Sequence, residues 1–572
     1  MAGVYFRKFS GYGGSKPGFQ ESSEVRMRSI LLCFLAANML ATNCHAQASN
    51  ANDKPADLSL TAVGRQHHAI QTTSSEAQEY FDQGITLLYG FNHEEAARAF
   101  QKAAELDPKS PMPLWGVAMA VGPNYNANVD AEREKIAFDT IQKASRLAEQ
   151  APRVEQDYVT TLMLRYSSEA KPDYKKLANI YAMGMRTLSR KYPEDLDAAT
   201  MYAESLMDLD PWKLWTRDGK PGEHTEEIIR VLESVLARDP MHAGANHYYI
   251  HALEASPNPE RALPSAQRLE ALVPRAGHLV HMPSHIYART GDFARAAERN
   301  AKAAQVDKTY AEEADRSGSM YDLMYHSHNE HFLAMAASME GRYAEAKQAA
   351  DGLAKRLMPH AAMMPMLDGF VMTPVWVDAR FSKWDAILAR SEPPAALAET
   401  HLMWRYSRTL AFAAQHDATK AAAEFAAFEK EESAIPETAP FGLQASCKTV
   451  HAVAREVLTA RIAEAQSKPE DAIKHWLAAV DAQDKLFYDE PADWYYPVRE
   501  SLGAAYMKAA KPYDAEMAFR ADLERNPRNP RSLFGLREAL AAQHSDTDAA
   551  WVDRQFKESW KSADVELKLG DL

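Results

Sequence analysis

The amino-acid sequence predicts an all-α fold, a right-handed superhelical solenoid of paired helices, on three observations. The chain has 572 residues, is 46% apolar and 25% charged, and holds only 24 glycines. It is rich in Ala, Leu, Glu and Lys and shows few β-branched runs or alternating stretches, so helix dominates. A spacing also recurs: Gly84, Ala96, Phe100, Ala103 and Pro108 fall at the same intervals as Gly503, Ala515, Phe519, Asp522 and Pro527. Those residue types suit a helical hairpin, since small residues let two helices approach, Phe plugs the next pair and Pro ends the second helix. Each short helix leaves an apolar face that a stacked neighbour covers.

Residues 1–48 read as an upstream extension followed by a secretory signal peptide that starts at Met27. Arg28, an apolar run from Ile30 to about Ala41 and the small residues Ala46-Gln47-Ala48 have that layout, with cleavage near Ala48. The apolar run is shorter than the roughly 20 residues of a bilayer span. Asn43 stands where a lipoprotein needs a small residue before its cysteine, here Cys44. A periplasmic or secreted protein with no membrane span in its mature form is therefore expected. Residues 49–74 read as a flexible lead-in, 75–545 as the solenoid, and 546–572 as a C-terminal capping helix, with Trp551, Phe556 and Trp560, and a tail. Internal copies of the signature are Gly291-Asp292-Phe293 with Ala296, Ala303 and Asp307, and Gly341-Arg342-Tyr343 with Ala346 and Leu353. Ala262 lies 34 residues before Ala296 and marks another second helix. Breaks at Gly122-Pro123, Asp210 to Gly222 and Ala311 to Gly318 read as insertions, which solenoids usually carry on one face.

The signature resembles the tetratricopeptide repeat (TPR), with Asp522 departing from the usual Ala. Over the mature chain, YFDQGITLLYGFNHEEAARAF, GPNYN, NHYYIHALEASPNPERALPSA, GHLVHMPSHIYARTGDF and HNEHFLAMAASMEGRYAEA resemble a group of exported bacterial TPR proteins. The resemblance implies the solenoid and a concave groove lined by first helices, and it assigns no activity. Departures from the repeat are largest between 360 and 470.

Charge and cysteine content narrow the function. With 65 Lys+Arg against 79 Asp+Glu the net charge is −14, or −17 once the five basic and two acidic residues of 1–48 are removed. Such a chain lacks the basic face that phosphate needs, so nucleic acid is not an expected partner. Cys33, Cys44 and Cys447 are too few for a four-cysteine zinc site, an iron–sulfur cluster or a disulfide framework. HExxH, GxSxG, GxxxxGK and CxxCH are all missing.

The histidines carry the strongest signal. Eight of 20 fall in the 85 residues from His247 to His331. Fifteen residues before the packing alanines Ala262, Ala296 and Ala346 stand His247, His281 and His331. Eleven before them stand His251, His285 and Met335, and eighteen before them Gly244, His278 and His328. These offsets share one helical stripe, which the TPR resemblance places in the groove. Imidazoles at i, i+4, a carboxylate and a histidine from the next helix suit Zn or Cu. The expected ligands are His247, His251, Glu254, His278, His281, His285, His328 and His331. Asn124, Asn126, Glu204, Asp208 and Arg289 are expected to line the groove. Pro283 should interrupt the helix between His281 and His285. Met358, Met363, Met364, Met366 and Met372, around His360, are either soft copper donors or gap-fillers.

Three functions fit this pattern. The first is a binding module for a divalent metal or a small metal-bound ligand. The second is a scaffold gripping a protein or peptide in the groove without metal. The third is a metal-dependent, hydrolase-like enzyme with Glu204 or Glu254 as proton shuttle.

Overall fold

Helices formed by these residues stack in pairs along the chain. In the computed structural model, which describes Gly64 and residues 66–572 apart from Ala170 and residues 442–444, Ser75–Tyr89 pairs with His93–Leu106 and Met112–Val121 with Ala131–Ala148. Arg153–Met163 pairs with Tyr174–Lys191, Leu196–Met207 with Thr225–Arg238, and Ala243–Glu254 with Leu263–Leu272. Two short helices, Gly277–His281 and Pro283–Arg289, share the partner Phe293–Glu313, and Ser327–Met339 pairs with Tyr343–Ala361. Later pairs include Ala398–Ala414 with Ala418–Glu432, Cys447–Ala465 with Pro469–Gln483, Val498–Lys508 with Pro512–Arg525, and Pro530–Ala542 with Asp546–Ser559. The fold is an all-α solenoid of helical hairpins. The expected signal peptide and most of the lead-in lie outside the described residues.

The recurring residues act as their types predict. A Cβ on Gly84 would stand 2.5 Å from the Phe100 ring, and Gly503 meets Phe519 in the same way. Full burial of each Phe contributes about 1.5–3 kcal/mol. Asp522 replaces the usual Ala because its carboxylate accepts hydrogen bonds from Asn529 Nδ2 at 2.7 Å and Asn526 Nδ2 at 2.8 Å. Many hairpin turns pass through a residue of positive φ, among them Phe91 (56°), Gly291 (78°), Gly341 (75°) and His416 (58°). Asn92, Asp292 and Asp417 then cap the second helices.

One apolar core runs from Ile70 to Met339, a second from Met372 to Ala518 and a third from Ala504 to Leu572. The first half winds back on itself: Tyr310 OH donates to Glu95 Oε2 at 3.0 Å, and Asn126 Nδ2 to Tyr325 OH at 3.0 Å. The tail also folds back, with Asp564 accepting from the backbone N–H of Tyr343 (2.7 Å) and Ala344 (2.8 Å) at a helix N-terminus. Trp551 is solvent-facing, whereas Phe556 is buried and Trp560 stacks on it. Over 66–72 the expected flexible lead-in is tied down: Gln66 Nε2 donates to Asp197 Oδ1 at 2.9 Å and His68 Nδ1 lies 2.8 Å from Asp197 Oδ2. Between 360 and 470 the pairing is broken by short helices and a small hairpin, Pro440–Phe441 with Ala445–Ser446. Among the described residues no helix is long and apolar enough to cross a membrane.

Candidate metal centre

The helix Ala243–Glu254 is buried on every side. Its N-cap is His242, whose Nδ1 accepts from Ala245 N at 3.1 Å. His247, His251 and Glu254 follow at helical spacing on one face. In the next repeat the chain breaks at Met282, so that His278 and His281 lie in Gly277–His281 and His285 in Pro283–Arg289. Pro283 opens that second helix, where its missing N–H costs little. A π turn, Asp322–His326, leads into Ser327–Met339 with His328 and His331.

Six of these histidines form two trios. Each trio joins an i, i+4 pair from one repeat to the histidine standing eighteen before the packing alanine of the next: His247, His251 and His278, then His281, His285 and His328. Within each trio the ligand atoms lie within 4.8 Å of one another. His247 Nε2 is 3.1 Å from His278 Nε2, while His281 Nε2 is 2.7 Å from His285 Nε2 and 3.1 Å from His328 Nε2. A metal bound at about 2.0–2.1 Å by imidazole needs nitrogens roughly 3.3 Å apart in a tetrahedron, close to these spacings.

The outer nitrogens of four of the six rings have partners, while His278 Nδ1 is buried without a hydrogen bond. His247 Nδ1 faces the Tyr89 carbonyl at 2.6 Å, and a carbonyl only accepts, so Nδ1 carries the proton. His281 Nδ1 faces Asn300 Oδ1 at 2.6 Å, and the Asn300 amide is oriented by its Nδ2, which donates to Ala296 O at 2.8 Å. His251 Nδ1 donates to Glu254 Oε1 at 2.9 Å. His285 Nδ1 approaches Glu254 Oε2 at 2.6 Å, an ion-pair contact lying off the hydrogen-bond line. One carboxylate therefore links the trios from behind, an arrangement that holds imidazoles with Nε2 forward. His281 Nε2 has a single lone pair and two imidazole nitrogens within 3.1 Å of it.

Burial drives His247, His278, His281 and His328 well below the ordinary imidazole range, so their rings are neutral. Burial also opposes the His285 cation, but the adjacent Glu254 raises it above the ordinary value. For Glu254, burial opposes ionisation, yet His251 and His285 pull its carboxyl down to about 2.

Phe91 closes one side, its ring 4.6 Å from His247, 5.2 Å from His278 and 5.7 Å from His251. It adopts a positive φ of 56°, a strained conformation for a bulky residue. Gly244 occupies the stripe position that holds histidine in the next two repeats, because a Cβ there would stand 2.6 Å from the Tyr89 ring. Tyr125 and Trp212, from two of the expected insertions, stack together and cover His251 at 5.3 and 5.8 Å. On the far side Glu490 Oε2 lies 3.8 Å from His285 Nδ1, and burial raises the Glu490 carboxyl to about 7.

Several sequence expectations change. Glu254 faces the Nδ1 atoms, outside the ring of inward nitrogens, because its helical position sets it behind His251. His331 stands apart against Phe370, ring centroids 5.5 Å apart, because its i+4 residue is Met335 and no histidine follows from a further repeat. Glu204 and Asp208 gather around Arg165, which pairs with Asp208, and burial pushes both carboxyls up, Glu204 also through the neighbouring Asp208. Arg289 donates to the backbone carbonyls of Glu254 (2.9 Å) and Ser256 (3.3 Å), bracing that helix end. Asn126 reaches the rim through Tyr325, whose ring is 5.1 Å from His278, and Asn124 accepts from Asn126 N at 2.9 Å. Met358, Met363 and Met366 are exposed and Met372 is buried in the second core, so the methionines do not converge. The five histidines from His247 to His285 are at most 4% exposed.

Tyr89, Phe91, Asn300 and Glu490 escaped the sequence reading. Asn300 alone left a trace, a polar residue on the stripe of Ala296 and Ala303 where packing asks for an apolar one. The other three come from distant hairpins and carry no local signal.

No protein-family model and no curated protein matches the chain. Among solved structures, the human IFIT1 dimer with PPP-AAAA is 13% identical, with 90% of this chain and 96% of that chain covered and a TM-score of 0.33. Yeast Tom70 is 11% identical, with 84% and 99% covered and a TM-score of 0.31.

Proposed function

We propose that the chain is a metal-binding solenoid, with the two histidine trios as ligands for a transition ion, Zn or Cu. The observation that carries this reading is the convergence at His281: its outer nitrogen is protonated toward Asn300, and its bare Nε2 meets two further imidazoles at 2.7 and 3.1 Å. A cation placed among these nitrogens takes up the lone pairs, whereas without one the single lone pair of His281 Nε2 is shared between two imidazole neighbours. Glu254, Asn300 and the Tyr89 carbonyl supply the outer hydrogen bonds that such ligands need. Three protein ligands per ion leave a coordination position open, which suits a centre that binds or transforms a small ligand.

Metal analysis and calorimetric titration of the tag-free protein test this. At least one equivalent of Zn²⁺ or copper is expected, lost in His281→Ala. Less than about a tenth of an equivalent, with no affinity near neutral pH, ends the reading.

A further inference from the structure

The rings of the two trios adjoin each other. Across the boundary between them, the His278 and His281 rings are 5.7 Å apart and the His251 and His285 rings 5.9 Å apart. The widest pair inside one trio, His251 with His278, is 6.1 Å. Six imidazoles thus make one continuous shell, and Glu254 ties its halves together through its two oxygens. Two-metal sites hold their ions about 3.5–4 Å apart, and the proposal below requires that spacing between the ions of adjoining trios.

The donors discriminate between ions. All six inward nitrogens belong to imidazole, with no carboxylate or thiolate among them, and the one carboxylate touching the shell, Glu254, sits on the outer side. Phe91 and Phe332 pack directly on the rings, Phe332 5.5 Å from His281 and 5.4 Å from His285. Two divalent ions bring four positive charges into this buried hollow, where Glu254 is the one anion in contact with the rings, whereas two Cu⁺ ions bring two. Imidazole is a good copper donor, and a three-coordinate Cu⁺ keeps a position open.

Resting on the metal reading above, we propose that the six histidines hold a pair of copper ions that binds dioxygen between them. In that step each Cu⁺ gives up one electron and becomes Cu²⁺. Dioxygen accepts the two electrons as peroxide, its π bond is lost, and its two oxygens bind the pair of coppers through the open positions. No proton is consumed. The shell is coupled through Glu254, so that loading one trio fixes the imidazoles His251 and His285 on both sides.

The test loads the metal-free, full-length protein with Cu⁺ under nitrogen, measures copper per chain, then admits dioxygen and follows its uptake together with the electron paramagnetic resonance signal. The expected result is two coppers per chain, one dioxygen taken up per pair, and no resonance signal, because the two Cu²⁺ spins couple through the bridging ligand. One copper per chain, two coppers without uptake, or the signal of isolated Cu²⁺ ions overturns the pair while leaving the metal reading intact. No copper and no Zn²⁺ binding removes both. His328→Asn, at the half-buried edge of the shell, should reduce loading to one copper and abolish uptake. His331→Asn, which lies outside both trios, should leave both readouts at the wild-type level. Equal behaviour of the two variants overturns the assignment of the shell, and matching far-ultraviolet circular dichroism shows whether each is folded.

Discussion

The first half of the solenoid and the second bury polar side chains at the same point of the repeat and settle them in opposite ways. Fifteen residues before the packing alanine, the first half has His247 and His281, and the second has Glu500 before Ala515. Glu500 is fully buried, and both its oxygens are taken: Oε1 by Arg380 Nη2 at 2.9 Å and Asn529 Nδ2 at 2.8 Å, Oε2 by Arg380 Nη1 at 2.5 Å and Arg531 Nε at 3.1 Å. Burial opposes its ionisation, but Arg380 and Arg531 hold its carboxyl below the ordinary range. Opposite charges complete each other there, and the protein supplies both. The histidine shell contains six like donors, and on the metal reading proposed above their complement is a cation from outside. A buried polar position in a repeat therefore says little by itself, and the partners brought by neighbouring hairpins decide between a structural lock and a ligand site.

That contrast can be broken most sharply at Glu500. Glu500→Ala leaves two buried guanidinium groups facing each other, and urea unfolding should show a loss of about 3–5 kcal/mol, with metal content per folded chain unchanged. A parallel loss of metal would mean the halves are not independent in this respect. Removing metal with a chelator acts on the other half. At free metal a hundred to a thousand times its dissociation constant, binding contributes about 3–4 kcal/mol, so the apo-protein should melt earlier and regain its midpoint when metal is restored.

Smaller effects test the outer shell. Glu254→Gln keeps a hydrogen-bonding oxygen for one ring but loses the charge shared by two, and metal affinity should fall by about 10–100-fold. Asn300→Leu should fall in the same range, because the His281 ring then has nothing to hold its Nδ1 proton. Both are read by competition with a chromophoric chelator. An unchanged affinity in both would remove the outer hydrogen bonds from the account.

The most local effect concerns the lead-in. Burial disfavours the His68 cation, but the Asp197 carboxylate beside it more than reverses this and raises His68 from 6.5 to about 9. A raised imidazole gives its full contribution below pH 6.5 and loses it as pH climbs through about 9. Hydrogen exchange or limited proteolysis around residues 66–72 should therefore quicken between pH 6.5 and 9, by about 1–3 kcal/mol of local opening. Metal content should not follow that profile, since the segment touches neither trio.

How much was legible follows from what spacing can carry. The hairpins were readable because Gly84 with Phe100 and Gly503 with Phe519 must touch within one repeat, and the same contact recurs wherever the types recur. The register of the histidines was readable for the same reason. Which of them meet was not: His247 with His278, and His281 with His328, join across repeats, and His331 drops out only because Met335 follows it and no next-repeat histidine arrives. Arg289 resembled a ligand-facing cation along its stripe, yet it braces the carbonyl end of Glu254's helix.

The sequence by itself determined an all-α solenoid, its recurring packing positions and a stripe of imidazoles, because these depend on contacts within a few turns of helix. Only the tertiary structure decided that six rings share a dry shell, that Glu254 stands behind it, and that Phe91, Asn300 and Glu490 enclose it. Those relations depend on how far each hairpin is rotated on the last, a quantity summed over many packing contacts and written at no single position.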